Sequence, residues 1–396
     1  MSATLAEVLA RFGPRYLAQH GLSAAQARAW RAIAACRTAV LGGQQLRCEG
    51  CGAEQWRWHS CRNRHCPRCQ KRAADAWRRA RMAELLDVPY AHLVFTLPHE
   101  MNPLARRHPR WVYDTLLACT AATLTEFAAN PRWLGGQPAF TLVLHTWTQD
   151  LQLHLHAHAL VACGALGTDE QWAAPTRSER FLFPVHACSA VFAGKFRAAL
   201  AAAERAGTLA RDPADTARLR QQRMHALRAA AWVVYAKTPL AGAAAVLDYL
   251  SRYTHRTAIG HERIAAIGDD GVRLRVRADE HGGKRLRRID GPQFIGRFLQ
   301  HVLPAGFKRI RHYGLLAPAH KTKRLTAARA ALLMPPPNPI AREAAAEFMR
   351  RVARIDIDHC PQCHRRWRLV QCFAPVHPAP RPRACQTATA AVPQAP

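Results

Sequence analysis

An alternating run of histidines, Gln152-Leu-His-Leu-His-Ala-His158, constrains the fold of this chain more than any other part of its sequence. Successive side chains of a β-strand point to opposite faces, so His154, His156 and His158 share one face and the apolar residues between them share the other. Neutral imidazoles held side by side can bind a divalent ion, with Gln152 or His154 as a third donor. A solvated strand face, or histidines satisfied within a core, is the alternative interpretation.

Two tyrosines at helical spacing form the second notable pattern, Tyr249-Leu-Ser-Arg-Tyr253. Residues four apart lie on one face of a helix, so a helix over 243–253 would present both phenolic hydroxyls together. Packing of two aromatic rings is the alternative. Four basic residues accompany the pair, and their side chains could hold phosphates and help to ionise a phenol. They are Lys237, Arg252, His255 and Arg256. A metal site together with two tyrosines suggests phosphoryl transfer through a covalent phosphotyrosine.

The charge of the chain indicates a polyanionic partner. Its 396 residues include 57 Lys and Arg against 27 Asp and Glu, a formal net charge of +30 at pH 7. Arginines, whose planar fork matches phosphate geometry, predominate and run through the whole chain, which favours nucleic acid over a membrane surface. A base-composition bias in the coding DNA is the alternative origin of this charge.

Two further features concern location. No run of about 18 apolar residues occurs, so we expect no membrane span. The N-terminus carries an acidic residue and lacks a basic start followed by an apolar core, so we expect no secretory signal and a cytoplasmic protein.

Two Cys-x-x-Cys pairs, Cys48-Glu-Gly-Cys51 and Cys66-Pro-Arg-Cys69, have the spacing of a tetrahedral zinc ribbon. The sequence therefore predicts that Cys48, Cys51, Cys66 and Cys69 hold a structural Zn²⁺. Residues inside the loop that could replace one ligand are His59, Cys61 and His65. Buried thiols without metal are the alternative. Stacking and phosphate-binding groups in the same loop, Trp56-Arg-Trp58 and Arg62-Asn-Arg64, indicate a DNA-binding module.

A third Cys-x-x-Cys pair, Cys360-Pro-Gln-Cys363, is followed by His364 and so has the pattern of a haem attachment site, but the expected lack of a secretory signal disfavours haem. It could form a second zinc knuckle completed by Cys372 or a histidine, or it could be an unliganded thiol pair. Two basic clusters, Lys284-Arg-Leu-Arg-Arg288 and Lys308-Arg-Ile-Arg-His312, are interpreted as DNA backbone contacts, with a solvated face as the alternative.

The pattern of apolar residues predicts strands over 90–97, 139–147, 151–163 and 232–237, and a hairpin joining 263–267 to 272–277. Helices are expected over 103–128 and through the Ala- and Arg-rich middle at about 188–230. Helices interrupt these strands, so the sheet should be antiparallel. The Pro- and Ala-rich end is expected to be a disordered tail.

In these motifs the chain resembles the HUH-type two-tyrosine rolling-circle transposases of bacterial insertion sequences, the insertion-sequence ninety-one family. The matching segments span about 36–316 in the order of the family. They are Cys36-Arg-Thr, Ser60-Cys-Arg-Asn-Arg-His-Cys-Pro-Arg-Cys69, Leu93-Val-Phe-Thr-Leu-Pro-His99, Leu144-His-Thr-Trp147, His154-Leu-His-Ala-His158, Tyr249-Leu-Ser-Arg-Tyr-Thr-His-Arg256 and Phe307-Lys-Arg-Ile-Arg-His-Tyr-Gly314.

The resemblance implies an α+β fold, with an antiparallel-sheet HUH endonuclease-like catalytic domain after an N-terminal zinc ribbon. His156-Ala-His158 would be the metal motif for Mg²⁺ or Mn²⁺, and Tyr249 and Tyr253 the nucleophiles. The family often has His-Pro-His-x-His where this chain has His154-Leu-His-Ala-His158, which leaves the third ligand open. Residues expected to contact DNA are Arg62, Arg64, Lys237, Arg252, Arg256, Lys308, Arg309 and Arg311.

The expected activity is metal-dependent cleavage and transfer of single-stranded DNA through a 5′-phosphotyrosine, by a nucleoid-associated transposase. A plasmid relaxase or replication initiator, or a zinc-dependent DNA-binding regulator without catalysis, is the alternative. The expected division is a zinc module over 1–85, a catalytic domain over 86–320, a basic region over 321–375 and the tail over 376–396.

Overall fold

The computed structural model describes residues 3–176, 182–209, 215–240, 258–278, 283–337, 341 and 343–376, with only the backbone for 238–240. The chain forms two compact units. The large unit combines Met1–Ala34 with Asn63–Arg342, and the small unit combines Ala35–Arg62 with Glu343–Pro396. The small unit thus joins part of the expected zinc module to the part of the expected C-terminal region that begins at Glu343.

Ten α-helices and twelve strands lie within the described residues. The helices are α1 Leu5–Leu17, α2 Ala24–Ala34, α3 Gln70–Met82, α4 Asn102–Arg107, α5 Pro109–Ala129, α6 Val185–Arg205, α7 Ala217–Ala229, α8 Gly291–Leu299, α9 Lys321–Ala331 and α10 Ala345–Phe348. The strands are β1 Gly43–Cys48, β2 Glu54–Trp58, β3 Tyr90–Thr96, β4 Gln137–Trp147, β5 Leu153–Leu166, β6 Trp172–Ala173, β7 Val233–Leu240, β8 Ile264–Ile267, β9 Gly271–Arg277, β10 Lys284–Asp290, β11 Ile310–Gly314 and β12 Trp367–Phe373.

The central sheet of the large unit has the order β11-β4-β5-β3-β7, with β6 paired to β5. All of its pairings are antiparallel. The expected α+β class with an antiparallel sheet is therefore confirmed, and so is the histidine strand. That strand, β5, lies in the middle of the sheet, where both of its edges are hydrogen-bonded.

One face of the central sheet is covered by α5 and α6. The apolar residues that alternate with the histidines, such as Leu155 and Ala157, are buried on this face. They belong to a core that includes Phe95 and Phe192, whose rings meet edge to face with centroids 5.3 Å apart. Burial of each such side chain stabilises the fold by about 1.5–3 kcal/mol, so the leucine half of the β5 pattern anchors the strand.

The opposite face of the sheet has two regions. At one end a smaller apolar cluster that includes Leu86, Tyr90, Leu160 and Leu325 covers it, and the Tyr90 hydroxyl accepts a hydrogen bond from the Leu86 amide at 3.0 Å. Towards the other end of β5 the same face carries the histidines. Helix α9 contributes to the apolar cluster at the first end. This face of the central sheet therefore has one region covered by apolar side chains and one region that carries the histidines.

A second antiparallel sheet of the large unit has the order β10-β9-β8, and α8 packs against it. The expected hairpin of 263–267 with 272–277 is confirmed by the pairing of β8 with β9. Helix α1 packs on α8, and a Cβ at Gly291 would lie 2.2 Å from the Phe12 ring, so only glycine fits there. One face of this sheet is exposed and cationic, with the cross-strand pairs Lys284 and Arg277, Leu286 and Arg275, and Arg288 and Arg273.

The small unit is built on an antiparallel sheet of order β12-β1-β2. Strand β12 comes from the far end of the chain and pairs with β1, so that Leu46 lies opposite Leu369 and Cys48 opposite Trp367. Rings of Trp56 and Trp58 stack with centroids 5.4 Å apart. Within the described residues, no helix of either unit is both long and apolar enough to cross a membrane.

Candidate metal centre

Three histidines of the large unit converge on the polar region of the central sheet. His145 on β4 is the cross-strand partner of His156 on β5, and His158 follows on the same face of β5. Each offers a ring nitrogen, and these three atoms all lie within 4.8 Å of one another. The His145 and His158 ring centroids are 4.3 Å apart. The arrangement suits a single ion with three nitrogen ligands.

The environment favours the neutral form of two of these imidazoles, His156 and His158. Burial, with a smaller contribution from His154, lowers the pKa of His156 to about 4. Burial and the neighbouring His156 and His92 hold the pKa of His158 well below its usual value. A metal ion binds only the neutral imidazole, so both rings are ready to act as ligands at neutral pH.

Hydrogen bonds orient the ligand rings. The Nδ1–H of His156 donates to the backbone carbonyl of His154 at 3.0 Å, which leaves Nε2 for a metal. The Nδ1 of His158 is hydrogen-bonded to Nε2 of His92 on β3, at 2.9 Å. His145 stacks on Trp147 with ring centroids 4.4 Å apart. Such outer partners fix the orientation of metal ligands and raise their affinity.

The turn between β4 and β5 holds the histidine register. Leu151 has a left-handed backbone, with φ of 62°. Its carbonyl accepts hydrogen bonds from Gln300 at 2.8 Å and from the His301 ring at 3.2 Å. The other ring nitrogen of His301 bonds the Thr146 hydroxyl at 3.0 Å. These hydrogen bonds from the residues just after α8 fix the position of the β4–β5 hairpin, which carries His145 and His156.

The structure brings together two of the three histidines expected to bind the ion and adds one that was not expected. His156 and His158 lie together as expected, but the third member of the group is His145, and His154 is not part of it. His154 is half-buried and lies beside His99, with ring centroids 5.4 Å apart. Cross-strand pairing brings His145 opposite His156, and a single histidine on a neighbouring strand has no periodicity that would mark it in the sequence.

Both expected nucleophiles, Tyr249 and Tyr253, fall outside the described residues, as do Arg252 and Arg256. Lys237 is described and lies on β7 opposite His92, on the histidine face of the sheet. After burial, its charge is the second cause of the lowered pKa of His92, about 4.

The other predicted DNA contacts differ in exposure. Arg62, Arg64 and Lys308 are exposed. Arg311 forms an ion pair with Asp114. Arg309 is buried, its pKa is lowered to about 9 by that burial, and its guanidinium lies 5.8 Å from the centroid of the Trp147 ring. Its burial makes Arg309 a packing residue beside the histidine group, which argues against a direct DNA contact.

The predicted zinc ligands do not form one group. Cys48 and Cys51 lie with Cys360 and Cys363 in the small unit, and Cys66 and Cys69 are not part of that group. Hydrogen bonds from the backbone of Cys51 and Gly50 lower the pKa of the Cys48 thiol to about 6. The prediction from spacing combined the two Cys-x-x-Cys motifs that are nearest in the sequence. The sequence gives no sign that β12 pairs with β1 and brings the third motif to the first.

Comparison with known proteins agrees with these observations. Residues 139–324 match the family model described as "Putative transposase", and residues 8–97 match the transposase zinc-binding domain. The chain is 41% identical to "Putative transposase y4qJ" of Sinorhizobium fredii over 91% of this chain and 92% of that protein. It is 27% identical to the transposase for insertion sequence element IS801 of Pseudomonas savastanoi pv. phaseolicola, over 83% and 79% of the two chains. No solved structure matches.

These likenesses define the class of protein as a transposase of an insertion sequence. Within that class, the chain belongs to the IS91 family. The match to the zinc-binding domain and the cysteine groups together support structural zinc. Four thiolates are a typical structural set for that ion, so the residues fit it.

Proposed function

We propose that this transposase cleaves and rejoins single-stranded DNA in a metal-dependent reaction that passes through a 5′-phosphotyrosine. The observation that carries the proposal is the group of His145, His156 and His158, three imidazoles that lie together on one face of the central sheet. Three ligands leave open coordination positions. A Mg²⁺ or Mn²⁺ ion held there would polarise the scissile phosphate.

The nucleophile in this proposal is Tyr249 or Tyr253. The phenolate oxygen attacks the phosphorus, a bond from tyrosine to the 5′-phosphate forms, and the bond to the 3′-oxygen breaks to leave a free 3′-hydroxyl. A 3′-hydroxyl of another strand then attacks the phosphotyrosine and releases the tyrosine. A second tyrosine can cleave a further strand while the first is still esterified. All of these residues fall in the catalytic domain proposed for 86–320.

Cations of the described residues support a DNA substrate. Lys237 shares the histidine face, next to the region where the phosphate would bind. The exposed face of the second sheet adds a further cationic surface, which includes Arg273, Arg275 and Arg277. Phosphate contacts of this kind position a nucleic acid without reading its sequence. A protein acting on chromosomal DNA would be associated with the nucleoid.

The test is the formation of a covalent adduct. Purified protein is incubated with single-stranded oligonucleotides that span the ends of the element, with Mg²⁺, Mn²⁺ or EDTA, and denatured before electrophoresis. We expect an adduct that requires metal and is lost when Tyr249 and Tyr253 are both changed to Phe. Tight binding to cognate ends without any adduct would refute the proposed chemistry and favour a DNA-binding regulator.

A further inference from the structure

Two Cys-x-x-Cys turns of the small unit come from opposite ends of the chain. The first is Cys48-Glu-Gly-Cys51, at the end of β1, and the second is Cys360-Pro-Gln-Cys363, just before β12. The transposase zinc-binding domain matches residues 8–97 only, so it does not include the second turn. A metal role for Cys360 and Cys363 therefore has to be argued from the structure.

The two turns have the same backbone geometry. The residue after each second cysteine is left-handed, with φ of 71° at Gly52 and 57° at His364. The amide of Gly52 donates to the carbonyl of Cys48 at 3.2 Å, and the amide of His364 donates to that of Cys360 at 2.9 Å. Each turn thus points both of its sulfurs to the same side. The Gly50 amide also donates a hydrogen bond to the Cys48 sulfur at 3.4 Å. A thiolate that binds a metal can accept such a bond.

The distances between the sulfurs match a tetrahedral site. Cys48 Sγ lies 3.2 Å from Cys363 Sγ, and Cys51 Sγ lies 3.8 Å from Cys360 Sγ. All four sulfurs are within 4.8 Å of one another. Four zinc–sulfur bonds of about 2.3 Å at tetrahedral angles place sulfurs about 3.8 Å apart, whereas a disulfide requires about 2.05 Å. The group therefore has the size of a metal site and not that of a disulfide.

Backbone pairing holds the second turn against the first. Besides the pairing of β12 with β1, the Glu49 amide donates to the carbonyl of Arg366 at 3.1 Å. A Cβ at Gly50 would lie 2.6 Å from Cγ of Arg365 and 3.2 Å from Sγ of Cys363. The close approach of the two turns thus requires a glycine in the first one, which indicates that the sequence is adapted to the second.

We propose that Cys48, Cys51, Cys360 and Cys363 bind one Zn²⁺ as a tetrathiolate site, so that the C-terminal segment completes the zinc module of this transposase. Metal binding is coupled to folding at such sites. The small unit then becomes stable only after the C-terminal cysteines have been synthesised. This inference concerns the structural ion, and it holds whether or not the proposed cleavage chemistry is correct.

The test measures the metal content of the full chain. Protein purified under reducing conditions is analysed for zinc and iron by atomic emission, for the wild type, the double variant Cys360→Ser/Cys363→Ser and the control Cys372→Ser. Cys372 is an exposed thiol on β12 outside the group, so the control removes a neighbouring cysteine and no ligand. We expect the double variant to lose one zinc ion per chain and the control to lose none.

A conservative variant separates loss of a ligand from loss of folding. Cys363→His should retain the zinc ion, because a Cys₃His set also binds zinc, and Co²⁺ in its place should show a weaker thiolate charge-transfer band than in the wild type. The proposal is overturned if the double variant contains as much zinc as the wild type. It is also overturned if iron fills the site, or if the Co²⁺ spectrum is the same with and without Cys363.

Discussion

The proposal that His145 is the third ligand of a catalytic ion gives the sharpest prediction, that His145→Gln weakens metal binding whereas His154→Gln does not. His145 lies opposite His156 and within the group of three nitrogens, and His154 lies outside it beside His99. Loss of an outer partner of a metal ligand typically costs about 10–100-fold in affinity. Loss of the ligand itself should cost at least about 100-fold, or about 2.7 kcal/mol.

The assay titrates Mn²⁺ against adduct formation on a single-stranded end oligonucleotide, and calorimetry measures Mn²⁺ binding to the same proteins. For His145→Gln we expect the concentration for half-maximal activity to rise at least about 100-fold, and for His92→Ala about 10–100-fold. His154→Gln, on the neighbouring strand β5 and outside the group of three nitrogens, is the matched control and should titrate like the wild type. The reasoning is refuted if His154→Gln binds Mn²⁺ as weakly as expected for a ligand variant while His145→Gln binds it normally.

Three further predictions concern stability and DNA binding. Phe192→Ala removes a fully buried ring that packs on Phe95, and it should lower the free energy of unfolding by about 3–5 kcal/mol in chemical denaturation. Burial lowers the pKa of His301 to about 4. In the unfolded chain the His301 imidazole has a pKa of about 6.5, so between pH 6.5 and pH 4 the unfolded state binds a proton that the folded state does not. The free energy of unfolding should therefore fall by roughly 3 kcal/mol as the pH drops from above 6.5 to 4. His301→Gln should make that part of the pH profile shallower, and an unchanged slope would contradict the assignment. Finally, Arg275→Ala on the exposed cationic face of β9 should reduce the slope of log affinity for single-stranded DNA against log salt by about 0.7, whereas an unaltered slope would show that Arg275 contacts no phosphate.

Strict alternation made β5 the most predictable element of the fold. Leucines at every second position need a core, so the strand, its buried face and its polar face could all be predicted from Gln152–His158. The hairpin of β8 and β9 was predictable for a related reason, because Asp269-Asp-Gly271 marks its turn locally. By contrast the Ala- and Arg-rich middle is two helices, α6 and α7, and alanine-rich composition alone gave no sign of the break between them.

The same contrast between local and distant information explains why sequence spacing does not group the residues of either candidate metal site as the structure does. His156 and His158 are two residues apart, so their proximity follows from strand geometry, whereas His145 joins them only through the pairing of β4 with β5. Cys48 and Cys51 likewise form one turn by themselves, but their partners depend on the pairing of β1 with β12 from the far end of the chain. Sequence spacing therefore predicts the part of each site that one strand or one turn supplies, two of three histidines and two of four cysteines. The remaining members are brought in by sheet register, which is set by the packing of residues outside the two groups.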